Sequence, residues 1–71
     1  MLSLTELRVA MRPIHGLYGP VVQQRNMLAA LRACGIAPPD DSGGGVSDYN
    51  DVLVSAIRAE LHRRETYFQE A

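Results

Sequence analysis

Apolar residues recur along this chain at three- and four-residue spacing, and nowhere alternate with polar ones over a strand's length between turn residues. Leu4, Leu7, Met11 and Ile14 make a first stripe. Val21, Gln24, Leu28 and Leu31 make a second, widened by Met27, Ala30 and Cys34. Tyr49, Leu53, Ile57, Leu61 and Phe68 make a third, broadened by Val52 and Ala56. Each stripe suits one face of a 3.6-residue helix, so the pattern predicts an all-α, three-helix domain spanning 1–71. Its expected core is Leu4, Leu7, Met11, Leu28, Leu31, Leu53, Ile57 and Leu61.

Local signals set the expected ends. Ser3 as N-cap with Glu6 three residues later forms a capping box, and Leu2 with Leu7 supplies a hydrophobic staple. Pro13 lacks the amide that would bond back to Val9, which stops a short first helix over 4–12. His15 to Gly19 is a tight connection, and Pro20 is well placed to open a second helix over 20–34. Gly35 suits the left-handed position after that helix, with Ile36 folding back on Leu31 in a Schellman arrangement. Pro38 and Pro39 forbid continuation. The Pro/Asp/Gly-rich stretch 37–46 reads as a linker, stiff at its start and loose at its end. A long third helix is expected over 48–69, with Asp48 and Asp51 at the positive end of its dipole. Glu60 and Arg64 are an i,i+4 pair in the favourable orientation.

The unequal lengths matter. The third helix would extend roughly 34 Å and the second about 22 Å, so the shorter helices leave the far end of the long stripe uncovered. Tyr67 and Phe68 sit there beside Arg63 and Arg64, two turns beyond Leu61, and aromatics with arginine are the composition of an interface hot spot. These five residues are the expected partner-binding surface. Asp40, Asp41, Asp48 and Asp51 form an acidic secondary contact, suited to a basic partner. An intertwined homo-oligomer is the alternative architecture, the glycines letting the third helix pack on a neighbouring chain.

Composition narrows the class. Seventy-one residues bury only about 60% of the surface an unfolded chain exposes, a marginal core for a lone monomer. Seven basic against eight acidic residues, net charge −1, disfavour bulk electrostatic binding of nucleic acid or an anionic membrane. All the basic residues are arginine, as expected from coding bias in a GC-rich bacterium or its phage. The longest unbroken apolar run, Met27 to Leu31, is far below the roughly 20 residues that span a bilayer. The first thirteen residues carry Glu6, Arg8 and Arg12, unlike a signal peptide. A cytoplasmic setting follows, in a bacterial host cell or, for a phage product, the virion.

Catalytic and metal chemistry find little support. Cys34, the single thiol, reads as a small buried hydrophobe at a helix C-terminus, where the dipole disfavours a thiolate. His62 and Glu65 share a helix face, but a carboxylate-bridged metal bundle needs Glu-x-x-His in pairs with further acids opposite. His15 fits a loop. The Asp40-to-Gly45 stretch lacks the alternating ligands of a calcium loop, and the chain lacks the lysine of a phosphate loop. The expectation is therefore no enzyme, cofactor, metal or small-molecule substrate. The chain reads as a protein–protein interaction module, a small helical assembly or adaptor protein, or a phage virion or host-inhibitor protein. It would bind through the end of the third helix, to another protein or to itself. The alternative is a small helix-turn-helix DNA-binding regulator, with Arg58, Arg63 and Arg64 on phosphates. Against it stand the long second connection and the acids at the start of the third helix.

Overall fold

A computed structural model describes residues 4–70, the side chains of 66–70 excepted. It is an all-helical fold with three helices, α1 (Leu4–Ala10), α2 (Gly19–Ala33) and α3 (Val46–Glu70), and no strand among the described residues. One hydrophobic cluster unites them: Leu7 from α1, Met27, Ala30 and Leu31 from α2, and Tyr49, Leu53, Ile57 and Leu61 from α3. Leu2 and Ser3, the expected staple and cap, lie outside the described residues.

α1 is shorter than expected. Beyond Ala10 the bonds tighten to i→i−3, from Met11 N–H to the Arg8 carbonyl and from Arg12 N–H to Val9, as the chain unwinds before Pro13. α2 then runs back along α1, and Gln23 Nε2 donates to the Met11 carbonyl at 2.8 Å. The turn between them depends on Gly19, which is buried under the preceding loop. A Cβ there would sit 1.7 Å from the Ile14 carbonyl oxygen, so only glycine allows this approach.

α2 ends as expected. Gly35, at φ 76°, occupies the left-handed position. Ile36 N–H reaches back to the Leu31 carbonyl at 3.0 Å, and Gly35 N–H to Arg32 at 3.0 Å. Its buried face differs from the expected one: Met27 and Ala30 are buried beside Leu31, whereas Leu28 is only half-buried and Val21 is exposed. α2 packs against both α1 and α3, and the small Ala30 shares the α1–α2 groove with Val9 and Ala10. Leu4 and Met11, also expected in the core, pack against its edge.

α2 and α3 begin side by side, because Asn50 in the second turn of α3 donates its amide to the Pro20 carbonyl at 3.0 Å. Both helices run away from that end, so the connection must carry the chain back. The linker therefore occupies 34–45, longer at its start and shorter at its end than 37–46. Its prolines favour the extended form such a return needs. Tyr49 Oη holds it, donating to the Pro39 carbonyl at 2.5 Å. α3 starts two residues before Asp48, and Tyr49 N–H bonds to the Gly45 carbonyl at 3.1 Å. Val52, expected to broaden its stripe, faces water instead, while Asn50 and Glu60 are buried.

Three substitutions test this account by thermal unfolding. Gly19→Ala must break the Ile14 approach and costs about 3 kcal/mol or more. Gly35→Ala meets no neighbour but is strained at positive φ, costing about 1–2 kcal/mol. Tyr49→Phe removes one bond and costs about 0.5–1.5 kcal/mol. At about 4–8 °C per kcal/mol for a chain this size, the midpoints separate clearly, and a Gly19→Ala protein as stable as the parent contradicts the geometry.

Candidate interaction surfaces

The side chains of Tyr67 and Phe68, the centre of the expected partner-binding surface, lie outside the described residues. Their three companions are described, and two of them are not free for a partner. Leu61 is a core residue, buried in the cluster that the three helices share. Arg64 is 14% exposed and donates from Nε to Glu60 Oε1 at 2.6 Å, the expected i,i+4 pair. Arg63 also reaches Glu60, from Nη2 to Oε1 at 2.5 Å and from Nε to Oε2 at 3.2 Å, while remaining 71% exposed. One carboxylate, 7% exposed, thus takes both arginines, because positions i+3 and i+4 lie over the same turn of helix.

This arrangement fixes the electrostatics of the region. The hydrogen bonds from Arg63, and then from Arg64, hold the Glu60 carboxyl below the ordinary glutamate range, against burial, which pushes it up. Arg8 of α1 forms a further ion pair with Glu65. That pair joins the first helix to the third, but both partners are substantially exposed, which limits it to at most about 1 kcal/mol. With Glu65 engaged by Arg8 and His62 exposed, this helix face is charged and solvated.

The four acids of the expected secondary contact are all exposed. Asp41 Oδ1 accepts from Gly43 N–H at 2.9 Å, shaping the linker, and Asp48 packs beside Gly44 at the start of α3. The connection from α2 to α3 is a twelve-residue return rather than a three- or four-residue turn. Cys34 is half-buried at the C-cap of α2 and edges the core. Among the described residues no group of three or more His, Cys, Asp or Glu side chains could hold a metal ion, and no helix is long and apolar enough to cross a membrane.

A surface that the periodicity did not reveal lies at the α1–α2 connection. The Gly19 N–H bonds to the Gly16 carbonyl at 3.1 Å, closing a four-residue turn whose two central residues are Leu17 and Tyr18. Tyr18, at φ −103° and ψ 13°, matches the third position of a type I turn and serves as N-cap of α2 without a capping bond from its side chain. The corner of a turn points outward. Leu17 is accordingly 87% exposed and Tyr18 70%, and Val21, three residues on and on the same face, is also exposed. The signal was present in the sequence as two large apolar residues, Leu-Tyr, between glycines, where Asp, Asn, Ser or Pro would serve a turn better. Between α1 and α2, Val9, Ala10, Asn26, Ala29 and Ala33 line an open, mainly apolar groove together with Glu6.

The Glu60 cluster makes a testable contribution to stability. Its carboxyl titrates lower in the folded than in the unfolded chain, so its stabilisation is complete above the unfolded value of about 4.3. It is lost as pH falls through the lower folded value. Stability measured between pH 7 and pH 2 should fall on the acid side, and Glu60→Gln should flatten that part of the profile. At pH 7 the same variant exchanges the charge-assisted bonds from Arg63 and Arg64 for neutral ones, at a cost of about 1 kcal/mol. An unchanged acid limb contradicts the assignment.

Compared with protein-family models, curated proteins and solved structures, the chain matches none of them.

Proposed function

We propose that this chain is a non-enzymatic protein–protein interaction module that pairs with a second copy of itself through the Leu17–Tyr18–Val21 face. The observation that supports it is the presentation of Leu17 and Tyr18 at the corner of a hydrogen-bonded turn, where they contribute nothing to the core. Buried Gly19, pressed under the Ile14 carbonyl, holds the turn from behind, so the two side chains are offered on a fixed support and little order remains to be lost on docking. A second copy is the chosen partner because the internal core is small, with five side chains fully buried among the described residues. Self-association is one of the ways a chain of this size with a single cysteine gains stability.

Magnitudes bound the strength of the contact. Burying Leu17, Tyr18 and Val21 contributes about 1.5–3 kcal/mol each, against roughly 4–15 kcal/mol for the lost freedom of two molecules. This face alone therefore supports a weak, concentration-dependent pairing. The aromatic end of α3, with Tyr67 and Phe68, is the second region of the chain whose composition fits a contact, and Arg63 is the exposed arginine beside it.

Molar mass by light scattering across a hundredfold concentration range tests the reading. The parent should rise above 7.8 kDa with concentration. Leu17→Ser with Tyr18→Ser should remain at monomer mass and unfold within about 0.5 kcal/mol of the parent, as exposed substitutions do. Tyr67→Ser with Phe68→Ser, measured alongside, separates the two faces. If it alone abolishes association, the contact lies at the end of α3. A parent that stays at monomer mass throughout overturns self-pairing.

A further inference from the structure

We draw no further inference here: the strongest candidate, the open groove between α1 and α2 lined by Val9, Ala10, Ala29 and Ala33, is an unpartnered apolar face of small residues, and nothing in the structure shows what covers it.

Discussion

The fold depends on the fact that α2 and α3 start at the same end. Two helices that run away from a common end cannot be joined by a tight turn, so the chain must return along the molecule before α3 begins. The hydrogen bond from Asn50 to the Pro20 carbonyl fixes that common end. Every feature of the linker follows from the return: the left-handed stop at Gly35, the extended prolines, the anchor from Tyr49 to Pro39, and the flexible glycines that redirect the chain into α3. The arrangement carries a cost at Asn50. Its amide nitrogen is satisfied, but its buried oxygen has no hydrogen-bond partner among the described residues. A buried acceptor left this way costs about 1–3 kcal/mol, which the burial of Leu53, Ile57 and Tyr49 around it has to outweigh.

Much of this was legible in the sequence where the cause is local. The Schellman stop needs only Gly35, Ile36 and Leu31, all within five positions, and the Glu60–Arg64 pair needs only its spacing on a helix. The choice of buried face on α2 was not local. Periodicity allows either Met27 or Leu28 to lead, and the face is set by α2 packing against both α1 and α3, with Ala30 sharing the α1–α2 groove with Val9 and Ala10. Val52 misled for the same reason, since nothing in its own helix says that α1 and α2 pack on the opposite side. Arg63 and Arg64 read as charges held out to a partner. Their spacings of three and four residues from one buried glutamate pair both with it, which draws Arg64 in and leaves Arg63 exposed but bonded.

The Leu17–Tyr18 corner illustrates a different limit. A turn between glycines was expected and is present, but turn propensity describes the backbone and is silent about side chains the backbone does not need. Local chemistry, packing and capping agree at most positions of this chain. They disagree here: the N-cap of α2 is an aromatic residue that makes no capping bond, and its neighbour is a leucine in water. Positions where a foldable sequence breaks its own local rules are the ones to examine for a role outside the fold. Val52, a single exposed valine on an otherwise regular helix, carries no such meaning, because scattered apolar exposure is ordinary. What distinguishes Leu17, Tyr18 and Val21 is their adjacency on a turn whose rigidity comes from Gly19 beneath the Ile14 carbonyl. The same contact that makes Gly19 irreplaceable for the hairpin therefore also fixes the surface on which association is proposed, which ties the stability of the fold to the geometry of the face.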